Sequence, residues 1–150
     1  MSGYFSELLA GVAVRIAERT PAVWRPDGPV YGAGEIGIVL GELPTGPAAA
    51  VALAVYDDAE APSGGAGSTY NPAVEVALTY LQVRWRFADY GDAMDFGWAV
   101  RSALHKKPYT IPALGRVIGY AVSMGPLGRD DNNRWMFSLN LQFRARRERT

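Results

Sequence analysis

The chain has 150 residues, 49% of them apolar and 20% charged, a globular composition of one-domain length. Fifteen basic and fifteen acidic residues cancel, which removes net charge as an argument for wholesale nucleic-acid or membrane binding. The absence of cysteine excludes disulfides, zinc–thiolate sites and thiol catalysis.

Taken in order, Phe5, Leu8, Leu9, Val12 and Ile16 follow helical spacing. They predict an amphipathic helix from Ser2 or Gly3 to Arg19, closed before Pro21. The same stretch lacks a basic leader followed by an apolar core, so no signal peptide is expected, and no apolar run reaches membrane-spanning length. Ala22 to Trp24 reads as a short strand, and Arg25 to Pro29, with Pro26, Asp27 and Gly28, as a turn. Ile36 to Leu40 and Ala49 to Tyr56 read as strands, the second with Val51, Leu53 and Val55 alternating against alanines. Asp57 to Pro72, carrying Ser63 to Ser68, reads as a mobile loop.

The central feature is Ala77 to Leu104, where a strand read from Ala73 to Phe87 feeds a helix. Leu81, Val83, Trp85 and Phe87 alternate with Gln82, Arg84 and Arg86, the period of a strand with one buried and one wet face. Upstream, the apolar phase sits on Val74, Val76, Leu78 and Tyr80. That one-residue shift predicts either a bulge or a strand passing between environments. Ala93, Phe96, Gly97, Val100, Ala103 and Leu104 then form one helical stripe. Asp92 is placed to cap this helix, Asp95 falls in its first turn, and His105, Lys106 and Lys107 sit at its negative end before Pro108. Val117 to Met124 and Trp135 to Arg146 read as two final strands, with a turn over Gly125 to Asn133. The pattern predicts a single α+β domain over residues 1–150, a mostly antiparallel sheet with two helices packed on one face.

Catalytic signatures are weak. Gly32-Ala33-Gly34-Glu35-Ile36-Gly37 fits the dinucleotide fingerprint in letters only, because a strand-like run, not a helix, follows it. Gly64 to Gly67 lacks the Lys-Ser/Thr of a phosphate loop. His105, the sole histidine, has no Gly-x-Ser-x-Gly elbow to serve and reads as a solvent-exposed helix end. Asp57-Asp58 and Asp130-Asp131 read as solvated loop residues without metal-ligand spacing. No cofactor, metal site or catalytic residue is expected. The residues that suggest macromolecular contact are arginines: Arg84 and Arg86 on the wet strand face, and Arg144, Arg146, Arg147 and Arg149 near the C-terminus.

Four stretches carry a family likeness: Leu8 to Ala13 with Val23 to Gly28; Ala49 to Tyr56; Leu81 to Arg86 with the helix Ala93 to Leu104; and Trp135 to Leu141 with Arg144 and Arg146. In this order the chain resembles the tail terminator proteins of long-tailed bacteriophages, often labelled minor capsid proteins in phages of actinobacteria. It departs from them at Ala59 to Tyr70 and Thr110 to Arg116. The resemblance implies a non-enzymatic virion subunit at the head–tail junction, assembled in the host bacterial cytoplasm. It implies a homo-hexameric ring that caps the tube of major tail tube protein, ends its polymerisation and presents the surface for the head-completion protein. DNA would pass through without sequence-specific binding, and no membrane is involved. Arg84, Arg86, Arg144 and Arg146 become interface candidates. Two alternatives remain: a head-completion or stopper protein of the same junction, and a small α+β enzyme or ligand-binding protein using Asp57, Asp58 or His105.

Overall fold

The computed structural model describes residues 3–60 and 74–148. The elements run α1 (Tyr4–Arg19), β1 (Gly37–Leu40), β2 (Ala50–Glu60), β3 (Val74–Phe87), α2 (Tyr90–Leu104), β4 (Tyr109–Ile111), β5 (Gly115–Arg129) and β6 (Trp135–Glu148). One sheet has the order β1-β2-β3-β6-β5-β4. It curls into a half-barrel, so α1 touches both β2 and β4, which lie near opposite ends of the strand order. Both helices lie on the concave face. Leu8, Val12 and Ile16 of α1 and Phe96, Val100 and Leu104 of α2 share one core with Leu53, Val83, Trp85, Leu139 and Phe143 of the sheet.

The α+β class stands, but the sheet is mixed, not mostly antiparallel. β2 to β6 pair antiparallel with their neighbours, whereas β1 runs parallel to β2, with Gly37 opposite Ala50. The physical reason is the link between them. β1 has only four residues, about 13 Å of strand, so residues 41–49 suffice to carry the chain back to its starting end. That return path crosses the convex face, where Ala50 and Ala52 are fully buried. A short apolar run says nothing about strand direction, so the sequence left this open.

β3 holds an unbroken register with β6 from Val74↔Glu148 to Phe87↔Trp135. The apolar phase shift is therefore no bulge in β3. Its N-terminal half places Ala77 and Thr79 on the concave side, where the Tyr4 hydroxyl meets Thr79 Oγ1 at 2.8 Å, and its larger apolar residues on the convex side. The bulge lies instead in β2, between Val55 and Asp57. β2 also extends to Glu60, so Asp57 and Asp58 belong to a strand and not to a loop. The rest of the loop expected to be mobile, residues 61–72, lies outside the described residues.

Other boundaries move for local reasons. Val23 makes a single bridge to Gly37 in place of a strand. Asp89, not Asp92, caps α2, its carboxylate accepting the Asp92 amide at 3.0 Å. β4 fills the stretch before β5 that gave no strand signal. β5 continues through the expected turn to Arg129 by two irregularities, at Val122 and Leu127, which absorb Pro126 and the glycines. The tight turn is confined to residues 130–134, where Asp130 accepts the amides of Asn132 and Arg134.

Candidate interaction surfaces

The four arginines expected at an interface share the convex face but not a role. Arg86 is only 4% exposed. Its Nε donates to the Ala48 carbonyl at 3.0 Å, Nη1 to Pro44 at 2.6 Å and Nη2 to Pro47 at 2.7 Å. It grips the β1–β2 crossover against the sheet. Arg134 adds a fourth tether, donating to the Thr45 carbonyl at 3.1 Å and to Asp130 at 2.7 Å. Burial lowers the Arg86 pKa, and the nearby Arg134 charge lowers it further, with Asp130 opposing. The reading of Arg86 as a wet-face residue is thus corrected. Period two told which face it occupies, not that a crossover covers that face. Arg84 is half-buried and donates to the Gly41 carbonyl at 3.0 Å. Arg144 and Arg146 are exposed, the first with its guanidinium 5.5 Å from the Tyr120 ring centre. Arg84 lies opposite Ser138, six residues or roughly 20 Å along β6 from Arg144, so the four do not form one patch.

Groups weighed for chemistry are bound into structure. Asp58 accepts from Arg147 Nη1 at 2.7 Å and from the Thr79 hydroxyl at 2.8 Å. Arg147 also donates to Glu75 at 2.6 Å and lies over the Tyr4 ring at 5.0 Å, tying β2, β3, β6 and α1 together. Burial would lower the Arg147 pKa, but its bonds to Asp58 and Glu75 raise it overall. His105 is not a free helix end. Its Nδ1 accepts the Ala121 amide at 2.8 Å, joining α2 to β5. Burial, then Arg101 and Lys106, hold its pKa below the usual imidazole range. Burial alone would raise the Asp130 pKa. The Arg134 amide and guanidinium and the Asn132 amide outweigh it, and the carboxyl titrates low.

A cleft of about 500 Å³ opens beside β1, walled by Trp24, Tyr31, Ile38, Leu40, Pro44 and Pro47. Its rim is set by Arg25, which pairs with Glu35 (Nη1 to Oε2 at 2.8 Å), and by the Tyr31 hydroxyl, which donates to the Ile38 carbonyl at 2.6 Å. The Arg25 bonds and the Gly32 amide pull the Glu35 carboxyl down to about 2. Asp57, Asp58 and His105 line no part of this cleft, so the enzyme alternative gains nothing from it. The glycine-rich stretch that fits the dinucleotide fingerprint in letters is a turn at Gly32 to Glu35, closed by the Gly32 amide donating to the Glu35 carboxylate at 2.7 Å.

The family model described as bacteriophage tail terminator protein matches residues 16–147. The chain belongs to the bacteriophage tail terminator family. Among solved structures, the sheath/tube terminator of an extracellular contractile injection system, PVC, in its extended state, aligns over 100% of this chain with a TM-score of 0.59 and 14% identity. The chain spans 58% of that terminator's length. A chain of the native gene transfer agent virion aligns over 75% of this chain and 78% of its own, with a TM-score of 0.45 and 18% identity. No curated protein matches the chain. The family is one of structural tail proteins.

For a tail terminator, the surface that sequence reasoning overlooked lies on α2. Tyr90, Met94 and Trp98 recur every four residues on its outer side, Tyr90 against the Trp135 and Phe137 rings and Trp98 under the Arg101 guanidinium. The signal was present in the sequence, but the inward stripe at Ala93, Phe96 and Val100 drew the assignment, and a second apolar stripe on the same helix went unread.

Proposed function

We propose that this terminator forms a ring, a homo-hexamer, that seats on the finished end of the tail tube. The ring stops addition of tube protein and offers its other face to the head-completion protein at the head–tail junction. DNA passes through it without sequence-specific contact. The observation that carries this reading is the family match across residues 16–147. A neutral chain, 15 basic against 15 acidic residues, supports it by allowing like subunits to pack without net repulsion. Electron microscopy of tubes incubated with the purified chain tests the proposal. A ring at one tube end is expected. Binding to the portal side of heads with bare tube ends would instead favour a stopper, and binding to neither would refute both.

A further inference from the structure

The flank of α2 nearest β5 stays open. At its start Tyr90 packs on the Trp135 and Phe137 rings, with centres 5.0 and 5.6 Å apart, and at its end His105 accepts the Ala121 amide of β5. The helix thus follows β5 for about 20 Å. Met94 and Trp98, one and two turns beyond Tyr90, stand on this flank, 39% and 61% exposed. Met124 of β5 is 38% exposed and shares the concave face with them, being paired with the buried Leu139. Among the described residues no backbone group pairs with the outer edge of β5 between Val122 and Arg129: β4 reaches only Val117, and His105 bridges Gly119. The lower end of this groove is cationic. Arg101 lies over the Trp98 ring at 5.4 Å, and the exposed Lys106 is held beside it by its amide bond to Gly119. Neither is in an ion pair among the described residues. Both lower the His105 pKa, with no carboxylate among the described residues offsetting them there. The upper end is mixed, with Arg129 over Trp135 and Asp89 and Asp131 exposed in the adjoining turns. Asp95 borders the flank on its solvent side, and Asp92 lies on the other side of α2.

We propose that this groove docks an amphipathic helix of a partner protein, its apolar face on Met94, Trp98 and Met124 and its carboxylates against Arg101 and Lys106. The inference does not depend on the chain forming a ring. An added strand does not fit the edge: Pro126 has no amide to offer, and the irregularities at Val122 and Leu127 break the ladder a strand would extend. Helix-in-groove docking needs no such ladder, only apolar anchors at helical spacing, which Met94 and Trp98 supply. Trp98 is the expected anchor. A second copy of this chain is a poor occupant. The apolar stripes of α1 and α2 are spent on the core, and laying the convex face of another copy here would set Arg144 and Arg146 against Arg101 and Lys106. The occupant is therefore acidic where it meets the lower end, about four turns long to fill the groove, and belongs to another protein.

Two measurements test this. The first places the photo-crosslinker p-benzoylphenylalanine at Met94, in tails assembled with the substituted chain, and sequences the crosslinked peptide by mass spectrometry. A segment of another protein is expected, with apolar residues at spacings of three and four and carboxylates toward one end. A crosslink to a second copy of this chain, to a segment without carboxylates, or to nothing overturns the inference. The second titrates the purified chain with a stapled helical peptide of about four turns, leucine along one face and glutamate at one end, and with its lysine counterpart. The glutamate peptide should bind at least about tenfold more tightly than the lysine one. Arg101→Glu should abolish that preference, and Trp98→Ala should weaken both peptides alike. Circular dichroism checks that each variant folds, and Arg101→Gln replaces Arg101→Glu if the latter does not. Equal affinity for the two peptides, or a preference that survives in the folded Arg101 variant, also overturns the inference. Sedimentation of the same samples reads ring formation separately, so a chain that forms rings but docks no helix leaves the ring reading standing, and a chain that docks the helix without forming rings does the reverse.

Discussion

Replacing Arg86 by glutamate should destabilise the fold by about 3–5 kcal/mol, because it sets a carboxylate against three carbonyls that have lost their donor. Arg144→Glu, on an open surface, should stay within about 0.5 kcal/mol; urea titration of both variants checks the contrast. Trp85 is the matching case on the concave side. It is fully buried, stacks on Phe137 and donates its indole N–H to the Ala93 carbonyl at 2.9 Å. Trp85→Ala should cost about 3–5 kcal/mol, against about 1 kcal/mol or less for Gln82→Ala, which loses one bond to Asn140. Two titrations are expected at this scale. His105 accepts a hydrogen bond through Nδ1 and titrates below its ordinary 6.5. Its contribution is whole above 6.5 and is lost as pH falls below it. Glu35, held near 2 against 4.5, contributes fully above 4.5 and loses that contribution as pH falls toward 2. Denaturation midpoints measured across pH should show the first step vanish in His105→Phe and the second in Glu35→Gln. The faces of Trp85 and Arg86 were legible from period two alone. The burial of Arg86 was not, since its partners are backbone carbonyls of a distant crossover, which no side-chain pattern announces.

At the scale of elements, α2 lies on β3 through a close approach that only glycine permits. A Cβ at Gly97 would stand 2.4 Å from Trp85 Cζ2, and Gly11 of α1 meets Ile111 of β4 in the same way. Gly97→Ala should therefore destabilise by about 1–3 kcal/mol despite the gain in helix propensity. A neutral or raised thermal midpoint would mean that α2 has room to lift. Both helices and the paired core of β3 and β6 were readable because their apolar spacing matches 3.6 and 2.0 over many residues. β4 was missed because three residues carry too little periodicity. The length of β5 was missed because Gly125, Pro126 and Gly128 read as a turn, whereas the strand accommodates them at an irregular edge that β4 leaves uncovered beyond Val117. Strand direction at β1 depended on a crossover whose path only tertiary contacts define.

At the scale of the molecule, a half-barrel of mixed strands encloses two helices and leaves two unlike surfaces on opposite sides. One is the outer side of α2, with Met94, Trp98 and Arg101; the other is the convex sheet face, with Arg144, Arg146 and Glu148. The resemblance seen in the sequence and the family match converge on a tail terminator. The central claim is that this chain ends tube growth, and the direct measurement is tube length over time in a polymerising mixture of tail tube protein. With the chain added part-way, elongation should stop at the length already reached, with one ring on each stopped end. Tubes that continue to lengthen at the unsupplemented rate, with the chain absent from their tips, would contradict the account.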